Sequence, residues 1–300
     1  MRTRLIIPLG VLLVCAVLIV SAQDQDQEVR GAFISTRPKT TANTNAPARR
    51  HRPPRTNTSA TTKNTNSGQS HVVNANVKVS ANGNASVSVN AAAIGLGYTL
   101  FMKDVDGRSI RVAPDHEFHN GDSVRISLEP NIDGYLYVFH TEGDGPPEML
   151  YPDSRLDGAE NWIEAHVPME VPSSEETDER FRWFRFYGNP GTERLYIVVT
   201  RAPLPMVPTG DALVSFCTAN KQQCPWHPPE DIWKQVQDVS KAGVRVVTSK
   251  TFGQAETEKE KNATTRGLGL DQTAPEPAVI RMNASTNAPI LVTVLDLAHK

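Results

Sequence analysis

His116-Glu117-Phe118-His119 places two imidazoles and a carboxylate in one short run, the groups a zinc hydrolase uses. That chemistry needs histidines four apart on one helix face, with the glutamate beside the metal-bound water. Here the histidines are three apart, in a segment that reads as loop entering strand, so the metalloprotease reading fails on spacing. Asp104-Val105-Asp106-Gly107 begins like a calcium loop but lacks the third oxygen donor and the terminal bidentate glutamate. Asp-Gly is also ordinary hairpin-turn chemistry. No Gly-x-Ser-x-Gly elbow occurs. A hydrolase site could only assemble in space, from His116, His140 or His166 with nearby acids.

Cys217 and Cys224 are the cysteines outside the N-terminal apolar run, which holds Cys15. Their closeness in an exported chain favours a local disulfide, whose short loop contributes roughly 2–3 kcal/mol on the chain-entropy account. The rival is a metal site of Cys217, Cys224 and His227, for which no fourth ligand has recognisable spacing. We assign no metal and no cofactor.

Phe181-Arg182-Trp183-Phe184-Arg185-Phe186-Tyr187 alternates aromatics with arginines. As a strand it places an arginine between aromatics on at least one face. Arg182, Trp183, Arg185 and Tyr187 then form a candidate interaction surface for a glycan or a partner peptide. Core packing explains the same pattern, and on that reading Trp183→Ala lowers stability before it lowers binding. Nucleic acid uses similar ingredients but is excluded by an exported, acidic body.

The elements that position these residues begin with an address. Arg2 and Arg4 precede an apolar run from Leu5 to Val20, and Ser21-Ala22 offers a small-residue cleavage site, so residues 1–22 read as a secretory signal peptide. Cleavage after Ala22 puts the protein in the periplasm or outside the cell, and retention makes the run an anchor, the one route to membrane contact. The net charge of −2 hides a split: no Asp or Glu occurs from Val29 to Lys103, while lysines and arginines do. Residues 23–93 are a basic, Thr/Asn/Ser/Pro-rich arm expected to be disordered, with a weak hairpin at 71–90 around Asn82-Gly83. The arm is expected to attract anionic envelope surfaces weakly.

The compact part starts near Ile94. Tyr98, Leu100 and Met102 alternate with Thr99, Phe101 and Lys103, Asp104–Gly107 turns, and Ile110–Val112 returns. Ser123–Leu128 and Tyr135–Phe139 read as a second strand pair, with further strands at Glu148–Tyr151, Trp162–His166, Arg180–Tyr187 and Leu195–Arg201. Regular short strands between turn signals predict an all-β fold, a sandwich or partly open barrel. Residues 204–277 read as an insertion with a strand at Leu213–Phe216, the cysteine loop, a helix opened by Pro229 with Ile232, Trp233, Val236 and Val239 on one face, a strand at Val244–Thr248, and a charged loop from Gly253 to Asp271. Residues 278–300 supply closing strands at Val279–Met282 and Ile290–Leu297.

Gly97–Phe101, Phe118–Arg125, Asp133–Phe139, Leu150–Asp153 and Gly191–Leu195 resemble a bacterial domain-of-unknown-function family, number 4384, found in secreted and envelope-associated proteins. The resemblance covers residues 94–203, and Val294–Lys300 looks like the family's last strand. It implies a β-rich, non-catalytic module and supplies no catalytic residues. The expected function is a non-enzymatic interaction module at the bacterial envelope, binding a protein or envelope polymer. The rivals are the spatially assembled hydrolase and an adhesin-like protein extending by strand addition.

Overall fold

A computed structural model describes residues 24–37, 92–249, 251–265 and 275–300. The signal-peptide segment, the 71–90 hairpin and most of the arm lie outside the described residues. The body consists of two facing antiparallel sheets, with one parallel pairing at an edge.

The first sheet is built on β1 (Gly95–Lys103) and β4 (Ser123–Pro130), paired from Leu96 opposite Pro130 to Met102 opposite Val124. On its far side β1 pairs with β12 (Val279–Asn283), which carries β11 (Val244–Thr248), and with β2 (Ser109–Val112). β8 (Met169–Val171) and the two-residue β9 (Phe184–Arg185) flank β4. The second sheet centres on β10 (Gly191–Thr200), between β5 (Gly134–Glu142) and β13 (Ile290–His299). β6 (Glu148–Tyr151) and β7 (Trp162–Ile163) pair with β5, and β3 (Glu117–Phe118) runs parallel to β13.

Strand alternation sorts side chains between layers. Leu96, Tyr98 and Leu100 of β1, Val124, Ile126 and Leu128 of β4, Leu136 and Val138 of β5, Leu195, Ile197 and Val199 of β10, and Leu291, Leu295 and Leu297 of β13 meet as the inter-sheet core. Burying each such side chain contributes roughly 1.5–3 kcal/mol. The fold is an all-β sandwich with a disulfide-bearing helical region.

Several local expectations change. β4 and β5 are not a hairpin: the Asn131–Asp133 link carries the chain from one sheet to the other, and Asn131 anchors the crossing by accepting from the Gly95 amide at 2.6 Å and donating to the Ala93 carbonyl at 3.0 Å. Leu213–Phe216 lies in helix α2 (Gly210–Ala219), where Leu213 faces the second sheet. The run is too short for its periodicity to separate strand from helix. Arg180–Tyr187 is a turn of 3₁₀ helix followed by β9 alone. Residues 24–35, assigned above to a disordered arm, form helix α1, because Val29 and Phe33, four apart, bury against Ala93, Val247, Ile280 and Met282. The 253–271 loop contains helix α4 (Glu258–Thr265), and its 253–256 backbone hydrogen-bonds along β2.

Helix α3 (Glu230–Ser240) forms as expected after Pro229, with Ile232 and Val236 buried. With α2 it seals the outer face of the second sheet against Tyr137, Phe139, Tyr196, Val198 and Val292. The Cys217–Cys224 disulfide ties the end of α2 to the segment leading to Trp226. Among the described residues no helix is long and apolar enough to cross a membrane.

Candidate functional site

The outer face of the first sheet is apolar under α1 and polar around β4, where much of it is also covered. Arg125 projects from β4 away from the core, between Val124 and Ile126, which point inward. Its side chain is 7 % exposed. Nε lies 3.2 Å from Glu170 Oε1 of β8, poorly aligned for a hydrogen bond, and Nη2 lies 3.6 Å from Glu256 Oε2. The Trp183 ring sits 4.2 Å from the guanidinium carbon, a cation–π contact strengthened by burial. One cation between two carboxylates leaves a surplus negative charge. Burial, and then the charge of Glu170, holds the Glu256 carboxyl above its ordinary range.

A parallel arrangement fixes α4. Arg111 of β2 donates from Nε to Glu260 Oε1 at 3.1 Å, pairs closely with Oε2, and reaches the Ala255 carbonyl at 3.1 Å. Glu260 also accepts from the Thr257 amide at 2.8 Å and hydroxyl at 2.7 Å, while the Glu260 amide donates to Thr257 Oγ1 at 3.3 Å. Thr257-Glu258-Lys259-Glu260 is thus a capping box that starts the helix.

Between α4 and the 174–183 loop, over Lys103, Ser109 and Arg125, runs a groove of about 530 Å³. Ligand pockets commonly occupy roughly 300–1,000 Å³. Its charged lining is Lys103, Arg108, Arg125, Arg182 and Lys261 against Glu179 and Glu256. Arg182 donates from Nε to the Glu176 carbonyl at 2.5 Å and has no carboxylate within ion-pair distance among the described residues. Of the residues expected to form an interaction surface, Arg182 and Trp183 line the groove. Arg185 instead donates to Tyr187 Oη at 3.0 Å and Ser123 Oγ at 3.3 Å, outside the groove lining, with Tyr187 exposed. Phe186, from the same aromatic run, lies in the core, stacked on Phe118 at 4.6 Å.

A second cluster holds α1. Arg37 clamps Glu129 of β4 through Nε at 2.9 Å and Nη2 at 2.8 Å. His166 Nδ1 lies 2.7 Å from Glu129 Oε1, and its Nε2 lies 2.7 Å from Thr36 Oγ1. Hydroxyl, imidazole and carboxylate in that order have the form of a catalytic triad. The Thr36 hydroxyl also lies 2.6 Å from the Phe33 carbonyl, and it has one proton to give. The cavity touching Glu129 holds about 20 Å³, room for one water and for no substrate. The cluster fastens the end of α1 to the sheet. Gly97 is required beneath it, since a Cβ there would collide with Pro277 and crowd Phe33 at 3.2 Å.

The remaining candidates are dispersed. His116 packs against Phe118 at 4.9 Å, and His119 is exposed. His140 stands between Glu148 at 3.0 Å and Glu193 at 2.5 Å. Burial alone would lower its pKa, but those hydrogen bonds and charges outweigh it and hold the imidazole above its ordinary value. Hydrogen bonding to His140 in turn keeps Glu148 below its ordinary range. His227 Nδ1 contacts the Pro147 carbonyl at 2.8 Å, and the disulfide leaves neither sulfur free to bind metal. The Asp104 turn is a hairpin device, with Oδ1 accepting from the Asp106 amide at 3.0 Å and the Arg108 amide at 2.7 Å.

Sequence reasoning missed Glu170, Glu256, Glu260, Arg111 and Glu129. The outward alternation of Arg125 and Glu129 on β4 and the Thr257-x-x-Glu260 box were the available signals. Comparison with curated proteins and with solved structures found no match. Residues 117–203 match the family described as a domain of unknown function, DUF4384, a span running from β3 through β10. Strands β1, β2, β11, β12 and β13, which complete both sheets, fall outside that span. The chain therefore carries a DUF4384-like domain, completed by strands from both sides of the matched segment.

Proposed function

We propose that this protein is exported and acts at the bacterial cell envelope as a non-enzymatic interaction module, holding a partner in the groove beside Trp183. The carrying observation is that groove, of about 530 Å³, lined by Arg182, Lys103 and Lys261 and floored by the rigid pair of β1 and β4. Export is favoured by the basic-then-apolar start of the chain and by the disulfide, which suits an oxidising compartment. The basic arm adds weak attraction to anionic surfaces.

The test is expression of the full chain in a bacterial host, followed by N-terminal sequencing and co-sedimentation with isolated envelopes. The expected result is a mature protein starting at Gln23 that sediments with envelopes, with sedimentation reduced by Lys103→Ala/Arg182→Ala. Retention in the cytoplasm, or identical sedimentation by wild type and variant, overturns the reading.

A hydrolase reading has one observation behind it, the order Thr36, His166, Glu129. It requires ester or amide turnover by purified protein that disappears in Thr36→Val, and no such turnover is expected.

A further inference from the structure

We infer that the groove beside Trp183 binds an extended acidic peptide through its side-chain carboxylates. The inference rests on the interaction-module reading and names the ligand class.

Charge comes first. The groove lining is predominantly cationic although the whole chain carries a net charge of −2. Raising the Glu256 carboxyl above its ordinary range softens one of the two opposing acids. Glu179, the other, pairs with Lys103 at 3.1 Å while its own side chain is 71 % exposed. Lys261 pairs likewise with the exposed acid Glu258, and Arg108 pairs with the exposed Asp106 through Nη2 while its Nε holds the less exposed Asp104 at 2.9 Å. Exposed pairs of this kind contribute about 0–1 kcal/mol, so incoming carboxylates can replace the partners at little cost. Arg182 needs no exchange, because its terminal N–H groups have no protein partner among the described residues and a planar guanidinium suits a carboxylate bidentately.

Placement decides the shape of the ligand. Lys103 ends β1, Arg108 sits in the turn before β2, Arg182 belongs to the loop before β9, and Lys261 lies on α4. Cations carried by four separate elements fit several charges along a chain rather than one compact anion. Among the described residues Trp183 is the only aromatic in the lining, and Arg125 already stacks on it, so they offer little for a sugar ring to stack on. The arm of this same chain carries no Asp or Glu between Val29 and Lys103 and so cannot supply the carboxylates, which points to an occupant from another molecule.

The test is calorimetric titration of the mature full chain with hexaglutamate at low and physiological salt, with tripolyphosphate as the competing anion. We expect saturable hexaglutamate binding that weakens with salt and falls at least tenfold in Lys103→Ala/Arg182→Ala. Arg108→Gln, which removes the charge without placing a third carboxylate beside Asp104 and Asp106, should also weaken it. Neutralising Arg49, Arg50, Arg52 and Arg55 of the arm should leave it intact. The inference is overturned by absence of hexaglutamate binding, by binding that follows the arm instead of the groove, or by tighter binding of tripolyphosphate. Failure here with groove-dependent envelope sedimentation retained rejects the ligand class and leaves the interaction reading standing. Loss of both rejects both.

Discussion

The two outer faces of this sandwich are covered by opposite means. The second sheet is sealed by apolar contact, with Phe139 and Tyr196 meeting Trp233 of α3 at 6.1 and 4.6 Å in edge-on geometry. The first sheet has an apolar patch under α1, but over β2 and β4 it is covered by charge: Arg125 with Glu170 and Glu256, Arg111 with Glu260, and Arg37 with Glu129. An apolar seal contains no titrating group and presents few polar groups to a ligand. An ionic cover costs desolvation and gains little net stability, but it keeps fixed charges at the edge of a solvent-filled groove. Where a module must both fold and bind, this division lets one face carry stability and the other carry recognition.

The largest test of that contrast is Phe139→Ala, which should cost about 3–5 kcal/mol in denaturant unfolding because the side chain is fully buried. Next, Arg125→Met leaves Glu170 and Glu256 buried without their cation and should cost about 3 kcal/mol. Replacing the whole triad, Arg125→Met with Glu170→Leu and Glu256→Leu, should recover most of that loss. Failure of the triple variant to recover would mean that the ionic cover is as integral as the apolar one. Opening the disulfide by Cys217→Ser/Cys224→Ser should cost about 2–3 kcal/mol, felt in α2 and not in the groove.

Smaller effects separate the faces by pH. Glu256 has a folded pKa raised above 4.5, so its contribution is present below that pH and is lost as pH rises through the folded value. Glu256→Gln should therefore raise the melting temperature at neutral pH and leave it unchanged near pH 4. His140, raised above 6.5, contributes stability below that pH that is lost as pH rises through its folded value, and His140→Gln should flatten that step alone. Last, Arg37→Ala should speed hydrogen exchange across residues 24–37 roughly tenfold while the β10–β13 core exchanges as before.

The sandwich was legible because short strands, alternating in β4 and apolar on both faces in β5, β10 and β13, are separated by turn signals. Helix α3 was legible from its apolar stripe and opening proline. Three features were hidden for physical reasons. α1 depends on just two buried anchors, Val29 and Phe33, which polar neighbours dilute below a recognisable stripe. The aromatic run 181–187 alternates like a strand, but its residues divide between the groove and the core, a tertiary choice that local pattern does not encode. Burial of Arg125 and Glu170 depends on partners far away in the chain, so outward alternation announces a polar face without announcing what covers it. Of the interaction surface read from sequence, Arg182 and Trp183 line the groove and Arg185 and Tyr187 do not.

Arg37 is bound to Glu129 on the sandwich, and the Ala92 carbonyl accepts from Arg201. Residues 37 and 92 are therefore both attached to the sandwich, α1 on one side of the intervening sequence and β1 on the other. A single protease cut between residues 37 and 92 would turn α1 into a separate peptide held by its own domain without a covalent link. Its retention would then depend on concentration, and dilution would release it.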